Sequence, residues 1–310
     1  MPRPCPLNTT EACHRLHQTQ IVKRQGVALS FRFGTVGSPI STPRHPGGSA
    51  GATRHMASLG LGAIELGWVR SVRVSAATCA AIKAAGEEGD VHISVHAPYY
   101  INLNGSEEEW PRSRQRLMDA AHYGYLAGAT DIIFHPGGYL GQPPAEVLPR
   151  AIERLQACVA ELRAAGNPVT LRPETMGKSA QLGTLEETLA MSAEVEGVQP
   201  CLDFAHLHAR AGDGSLNSYA EWMVLLEAYA AALGTSALKT LSCHLSGIEY
   251  TPKGEKNHLT MQASDFQLED LFRAPHAMGC AGRLLSESPI MEEDAWLYKE
   301  TWMAVSGESE

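Results

Sequence analysis

The stretch VHISVHAPYY, residues 91–100, is a short apolar run with β-branched residues, and a histidine, His96, stands at its end. Such a run predicts a buried β-strand whose carboxyl end carries a polar group. The same arrangement recurs over about 190 residues of the chain. It is found in DIIFHPGG (His135), VTLRPETMGK (Glu174), PCLDFAHLH (Asp203, His206), TLSCHLSG (His244) and RLLSESP (Glu287). This series predicts strand ends that converge on one cluster of divalent metals, with His258 in GEKNHL as a further candidate on a loop.

Strand-like runs alternate with helical patterns over residues 27–304. The predicted strands span residues 27–34, 62–67, 91–96, 130–135, 168–174, 198–203, 239–245 and 283–287. The predicted helices span residues 50–60, 75–87, 113–128, 144–165, 184–195, 218–233, about 265–279 and 292–304. Eight strand–helix units predict an α/β protein with a single (β/α)8 TIM barrel and a metal cluster at its C-terminal face. A doubly wound sheet is the alternative, but it needs fewer strands and leaves the polar residues at successive strand ends unexplained.

The organisation of the chain follows from these patterns. One barrel domain is expected over residues 27–304, between a poorly ordered extension over residues 1–26 and a tail over residues 305–310. The seven cysteines form no CxxC pair, which is typical of a reducing compartment. Neither a secretory signal nor a membrane span is recognisable, so a cytoplasmic location is expected.

The formal net charge of the chain is −9 at pH 7. This value argues against a protein that coats nucleic acid through a general basic field. The argument is weaker if the cluster binds metal, because two or three divalent ions would add about four to six positive charges at that place.

The residue types in the cluster indicate which metal it binds. Neutral imidazole and carboxylate oxygen together suit Zn²⁺, and Mn²⁺ is plausible where carboxylates dominate. A single histidine is more often a packing residue, whereas a whole set of unpaired polar groups at these positions would be costly to bury. Glu65 ends the second predicted strand and is either an extra ligand or a hydrogen-bonding residue of the barrel mouth. Tyr99 and Asn102, just beyond His96, either cover the mouth or contact a base there.

Several motifs resemble the endonuclease IV family of apurinic/apyrimidinic endonucleases, which are metal-dependent (β/α)8 barrels of the xylose-isomerase-like superfamily. The resemblance runs from about residue 27 to residue 304 and rests on HAPYYINL, FHPGG, PET, CLDFAHLHA, HLSG and SES. GSPIST near the first strand and SGIEY…GEKNHL after the seventh resemble a divergent branch of that family.

The resemblance implies a ligand set, position by position. The first metal would be bound by His96 and His135, with Glu174 bridging to a second metal. The remaining ligands of the second metal would be Asp203, His244 and Glu287, and a third metal would be bound by His206 and His258. The family has a carboxylate two residues before the last histidine, where this chain has Lys256, and Glu255 is one step off the pattern. Two Zn²⁺ ions are therefore expected, and the third site is absent, weak, or completed by water or by Glu255.

The resemblance also implies a function, the incision of DNA 5′ to abasic sites in base excision repair. A hydroxide between the bridged metals would attack phosphorus, with catalytic roles for Glu174, Glu287 and Asp203. Damaged DNA would be the partner. The residues expected to contact it are Tyr99, Asn102, Trp68, Arg70, Lys178 and Lys256.

Two alternatives remain open. A sugar isomerase or epimerase uses the same general barrel with one or two divalent ions, although its site depends more on carboxylates than on histidines. The other alternative is a lesion-binding protein with weakened catalysis, which Lys256 suggests.

Overall fold

The computed structural model of the protein describes residues 30–307. The extension predicted over residues 1–26 and the last residues of the predicted tail lie outside this range. Within it, residues from Phe31 onward form one compact unit. No helix among the described residues is long and apolar enough to cross a membrane.

The described strands form a parallel barrel sheet and a separate hairpin. They are β1 (Phe31–Val36), β2 (Ala63–Gly67), β3 (His92–His96), β4 (Asp131–Phe134), β5 (Thr170–Pro173), β6 (Cys201–Asp203), β7 (Leu241–Leu245), β8 (Gly247–Thr251), β9 (Gly254–Leu259) and β10 (Gly282–Ser286). Eight of them pair in parallel in the order β5-β4-β3-β2-β1-β10-β7-β6. Parallel bridges from Leu171 to Val198 and from Glu174 to Cys201 join β5 to β6. The sheet is therefore nearly closed, and the predicted TIM barrel is confirmed.

The helices follow the strands as the alternating pattern predicts. They are α1 (Gly48–Ser58), α2 (Ala76–Gly89), α3 (Trp110–Leu126), α4 (Pro144–Ala164), α5 (Leu185–Glu194), α6 (Phe204–Arg210), α7 (Tyr219–Leu233), α8 (Leu268–Ala277) and α9 (Glu292–Ser306). Capping boxes begin two of them, with Thr184 and Glu187 at α5 and Ser218 and Glu221 at α7. In each box both side chains satisfy backbone N–H groups that the first helical turn leaves unpaired.

Three local features differ from the sequence-based expectation. The first strand extends to Val36 rather than to residue 34. The helix α6 follows β6 without a loop because Asp203, the last strand residue, also caps the helix through its side chain. His258 lies in the strand β9, not on a loop, because β8 and β9 form an antiparallel hairpin. The polar sequence of β9, GEKNHL, hides this strand from pattern analysis.

The hairpin formed by β8 and β9 is fixed against the loop that follows β5. The Glu255 N–H donates to the carbonyl of Gly177 at 2.9 Å, and residues 178 and 254 form an antiparallel bridge. At Gly254, φ is +95°, and a Cβ there would lie 2.2 Å from the Gly177 oxygen. Only glycine permits this close approach, which brings the hairpin over the barrel mouth.

The opposite end of the barrel contains a buried charge network and a cavity. Asp131 forms ion pairs with both Arg172 and Arg283, and all three side chains are nearly inaccessible. A cavity of about 550 Å³ opens beside them. None of the predicted metal ligands is among the described residues that line it, so this cavity is separate from the predicted cluster.

Candidate metal centre

The predicted ligands meet at the carboxyl ends of the barrel strands. Their ligand atoms form three groups, each with all members within 4.8 Å of one another. The groups are His96, His135 and Glu174; Glu174, Asp203, His244 and Glu287; and His206, His258 and Glu287. Six different strand ends, the helix α6 and the β8–β9 hairpin contribute them, as expected where a barrel mouth gathers side chains that are distant in sequence.

Glu174, fully buried after β5, belongs to two of these groups through different oxygens. Its Oε2 lies 3.3 Å from Nε2 of both His96 and His135. Its Oε1 lies 3.4 Å from Nδ1 of His244, the imidazole of the second group. These are the positions of a carboxylate that bridges two ions, since each oxygen faces a different set of nitrogens.

Backbone carbonyls orient two of the imidazoles. Nδ1 of His96 lies 3.0 Å from the Ala97 oxygen, and Nδ1 of His206 lies 3.0 Å from the Thr175 oxygen. A carbonyl only accepts, so each Nδ1 carries the hydrogen and each Nε2 keeps its lone pair. Such partners of the second nitrogen are usual for metal-ligating histidines.

Asp203 shows how the donor set fits a cation. Its Oδ1 accepts the backbone N–H of His206 at 2.6 Å. Its Oδ2 is buried and, among the described residues, has no hydrogen-bond partner. A buried oxygen of this kind is costly unless a cation or proton satisfies it. Asp203 belongs to the group with Glu174, His244 and Glu287, where a divalent ion would satisfy this oxygen.

The electrostatics of the metal-free centre agree with this reading. Although burial raises the pKa of Glu174, the surrounding imidazoles of His135, His206 and His244 hold it well below its usual range. Burial lowers the pKa of His96, but Glu174 outweighs it and raises the pKa to about 9. Burial, with the charges of Glu174 and Glu287, raises the pKa of Asp203 to about 6. These shifts show that the carboxylates favour positive charge on their neighbours, and divalent ions would supply that charge in place of protons.

A further carboxylate, which the sequence pattern places one step away, lies beside the third group. Glu249 pairs with Asn257 and Tyr250 pairs with Glu255, so Lys256 forms a β-bulge. The bulge shifts the register by one residue and brings Glu255 Oε2 to 3.6 Å from Nε2 of His206. Glu255 therefore lies beside His206, which its sequence position permits only with such a shift of register.

Comparison with known proteins agrees with this architecture. The model of the xylose isomerase-like TIM barrel family matches residues 54–303. The chain belongs to this family. An uncharacterized protein of Methanocaldococcus jannaschii is 37% identical over 266 residues, which cover 86% of this chain and 94% of that protein.

Endonuclease IV proteins are among the similar members of the xylose isomerase-like TIM barrel family, which confirms the predicted resemblance. The probable endonuclease 4 of Oceanobacillus iheyensis is 29% identical over 158 residues, or 48% of this chain. The match spans half the length of that relative. The structure of endonuclease IV from Thermus thermophilus superposes with a TM-score of 0.66 at 24% identity, over 90% of this chain and all of that chain.

The same fold also occurs in sugar-converting enzymes. A D-tagatose 3-epimerase-like protein superposes with a TM-score of 0.65 at 16% identity, over 89% of this chain and 98% of that chain. At such identities the superposition shows the fold alone. The function of this member of the family is therefore argued from its site.

Two of the residues expected to contact DNA lie against the first metal group. Tyr99 stacks on the His135 ring, with centroids 5.0 Å apart and an angle of 27°, and half of its surface is exposed. Trp68 is partly buried against the core, and its backbone N–H donates to the backbone carbonyl of His96. The Tyr99 N–H donates to the Val69 carbonyl, so the loops after β2 and β3 are joined beside the centre.

The other four predicted DNA-contacting residues lie farther out on the mouth. Arg70 and Lys178 are exposed on the loops after β2 and β5. Asn102 is partly buried, and its side-chain oxygen accepts the Asn104 N–H at 2.8 Å, which shapes the loop after β3. Lys256 pairs with Glu249 at 2.5 Å on the exposed side of the hairpin.

The sequence does not reveal the bulge at Lys256 or the backbone partners of the imidazoles. A bulge has no reliable sequence signature here, and the carbonyls of Ala97 and Thr175 carry no side-chain signal at all. For Glu65 the sequence allows either a ligand or a hydrogen-bonding residue of the mouth. It is fully buried, and one of its oxygens lies 3.2 Å from Nε2 of His244.

Proposed function

We propose that this chain is a cytoplasmic, metal-dependent phosphodiester hydrolase that incises DNA 5′ to abasic sites in base excision repair. The observation that carries the proposal is the position of Glu174, whose two oxygens face separate groups of histidine and carboxylate ligands. Centres with neighbouring ions clamp both the attacking and the leaving oxygen of a phosphoryl group. Such a centre suits phosphodiester hydrolysis without a protein nucleophile.

The first two ligand groups would each hold one ion, with Zn²⁺ favoured by their three histidines and Mn²⁺ as a second possibility. A third ion would bind between His206, His258 and Glu287, with Glu255 beside His206 as a further ligand. When bound, such ions lower the pKa of water and neutralise the charge that develops on phosphoryl oxygens.

The chain's own side chains would orient the reactants. Asp203 Oδ2 and the Glu287 carboxylate lie beside the Glu174 bridge and could accept hydrogen bonds from the attacking water. Asp203 is held in place because its other oxygen caps α6. These two residues would thus fix the direction of attack, which is a large part of the barrier in phosphoryl transfer.

Recognition of the lesion would fall to the loops around the mouth. Tyr99 presents a half-exposed ring beside the first metal group, where it could stack against a base or fill the space left by a missing one. Arg70 and Lys178 are exposed cations that could contact phosphates. Because the chain is acidic overall, its affinity for undamaged DNA should be modest, with a shallow dependence on salt.

An incision assay tests the proposal directly. The Zn²⁺-loaded protein is incubated with a duplex that carries one abasic-site analogue and with the same duplex without a lesion. We expect cleavage only 5′ to the lesion, abolished by a chelator and by Glu174→Gln. The matched control is Glu186→Gln, an exposed glutamate on α5 outside the centre, which should cleave normally.

The same Zn²⁺-loaded protein also tests the two alternative functions, a sugar isomerase or epimerase and a lesion-binding protein. Turnover of a ketose without strand incision would replace the nuclease proposal by an isomerase or epimerase. Tight binding of the lesion duplex without cleavage, at full metal occupancy, would indicate a lesion-binding protein.

A further inference from the structure

Glu65 is a carboxylate in the interior of the barrel, where most positions hold apolar residues. It lies near the end of β2, and none of its surface is exposed. A buried carboxylate is stable only if hydrogen-bonding or charged partners compensate for its lost hydration. The identity of these partners therefore indicates why the residue is present.

The two oxygens of Glu65 face two different partners. The Ser94 hydroxyl on β3 donates to Oε2 at 2.8 Å. Oε1 lies 3.2 Å from Nε2 of His244, although the angle is not that of an aligned hydrogen bond. Neither Oε1 of Glu65 nor Nε2 of His244 has another hydrogen-bond partner among the described residues. In the barrel order, β1 and β10 separate β2 from β7, so Glu65 and His244 meet across the interior.

His244 is oriented differently from the two imidazoles that donate to carbonyls. Its Nδ1 faces the metal centre, 3.4 Å from Glu174 Oε1 and 3.5 Å from Glu287 Oε1. An imidazole binds a metal through a nitrogen without hydrogen. The hydrogen of His244 must therefore be on Nε2, where Glu65 rather than a backbone carbonyl is available to accept it.

A thiol also borders the His244 ring, since Cys201 interacts with it. The sulfur of a thiol is a weak acceptor, whereas a carboxylate oxygen is a strong one. Glu65 Oε1 lies 3.2 Å from Nε2 of His244. Glu65 is thus the acceptor beside Nε2.

We propose that Glu65 is a positioning residue of the metal centre, which accepts the Nε2 hydrogen of His244 and so presents Nδ1 to the ion held by Glu174, Asp203 and Glu287. Glu65 itself is not a ligand, because its oxygens belong to none of the three ligand groups. Carboxylate partners of this kind orient the ring and raise its basicity, and their loss costs about 10–100-fold in metal affinity. The inference rests on the metal centre of the proposed function but not on its substrate.

The test compares Glu65→Leu, which removes the acceptor at similar volume, with Glu65→Gln, which keeps an acceptor oxygen without the charge. Zn²⁺ affinity is measured by competition with a chromophoric chelator. The Nε2 hydrogen of His244 is followed by long-range ¹H–¹⁵N correlation in the Zn²⁺-loaded protein and assigned by its loss in His244→Gln. Ser94→Ala is the matched control, since it removes only the partner of the other oxygen.

We expect the affinity for one ion to fall about 10–100-fold in Glu65→Leu and less in Glu65→Gln, with the remaining affinity unchanged. The Nε2 signal of His244 should shift in Glu65→Gln and broaden or vanish in Glu65→Leu. If Glu65→Leu does not fold, the affinity and signal of Glu65→Gln decide the question. Unchanged affinity and an unchanged signal would overturn the inference, as would the loss of an oxygen ligand in the zinc X-ray absorption spectrum of Glu65→Gln.

The experiments distinguish a failure of this inference from a failure of the proposed nuclease function. Zn²⁺ affinity is read without DNA, so failed incision overturns the nuclease proposal alone. Unchanged affinity in the Glu65 variants, with a wild-type chain that binds Zn²⁺, overturns this inference alone.

Discussion

The carboxylate of Glu255 lies 3.6 Å from Nε2 of His206, although the two residues are 49 positions apart and belong to different elements. The contact depends on the β-bulge at Lys256, which turns Glu255 inward and leaves Lys256 paired with Glu249 outside. The third metal group, whose sequence spacing lacks the expected carboxylate, therefore has a carboxylate within reach.

This relationship predicts the metal content of two neighbouring variants. Glu255→Gln should lower the content from about three ions per chain to about two, because a neutral amide is a poor ligand for Zn²⁺. Lys256→Asp should leave the content unchanged, since that side chain lies on the exposed side of the hairpin. Mass spectrometry of the native proteins measures both. A gain of metal in Lys256→Asp would show that residue 256 provides the missing ligand.

Replacement of the bridging carboxylate should have the largest effect. In Glu174→Gln, neither ion of the bridged pair keeps its full ligand set, so we expect the loss of at least one ion per chain. Incision should fall by more than about 100-fold. The loss of a residue that only orients a metal ligand already costs up to about 100-fold, and Glu174 is proposed to be a ligand itself. Metal analysis and a single-turnover assay measure the two effects, with His122→Gln, an exposed helical histidine, as control. Normal metal content in Glu174→Gln would contradict the bridge.

The metal-free protein should lose stability as pH rises. The pKa of His96 is about 9 in the folded chain, above its ordinary value of 6.5. Its contribution to the free energy of unfolding is thus present below pH 6.5 and lost as pH approaches 9. Asp203, with a pKa raised to about 6, acts in the same direction at lower pH.

Metal binding has the opposite pH dependence, because the ligands must lose their protons. The difference in Tm between the Zn²⁺-loaded and metal-free proteins should therefore widen from about pH 6.5 to about pH 9. Calorimetry without excess metal measures it. A difference that narrows over this range would show that these histidines are not ligands.

The exposed ring of Tyr99 should determine lesion affinity rather than metal binding. Tyr99→Ala should weaken binding to the lesion duplex by about 1–3 kcal/mol, the usual effect of removing one stacking ring, with unchanged metal content. Fluorescence anisotropy of a chelated, inactive preparation measures the affinity. Tyr125→Ala, an exposed tyrosine beside the cavity at the other end of the barrel, is the control, and equal losses in both variants would refute the assignment.

The buried charge network at the other end of the barrel should affect stability alone. Asp131→Ala leaves Arg172 and Arg283 buried without a counter-charge, which should cost about 3–5 kcal/mol. The exposed pair of Arg54 and Glu88 provides the comparison, since Glu88→Ala should cost less than about 1 kcal/mol. Urea unfolding of the metal-free proteins measures both, and similar values would mean that the network is not a buried one in solution.

Local pattern was sufficient for much of the architecture. Apolar runs and capping boxes predicted the barrel strands and eight of the helices close to their observed bounds, because both signals act within a few residues. It failed at the β8–β9 hairpin and at α6. The hairpin is polar and is held by contacts with the distant Gly177, and α6 shares its capping residue with a strand.

The order of residues along the chain is enough to predict which side chains gather at the barrel mouth, since every parallel strand delivers its last residues to the same end. How these side chains divide into groups, and which residues support them, follows from the folded arrangement. The two-sided position of Glu174, the reach of Glu255 and the contact of Glu65 with His244 depend on strand register and on packing across the barrel. Those are set by contacts between residues far apart in the chain, where spacing along the sequence carries no distance information.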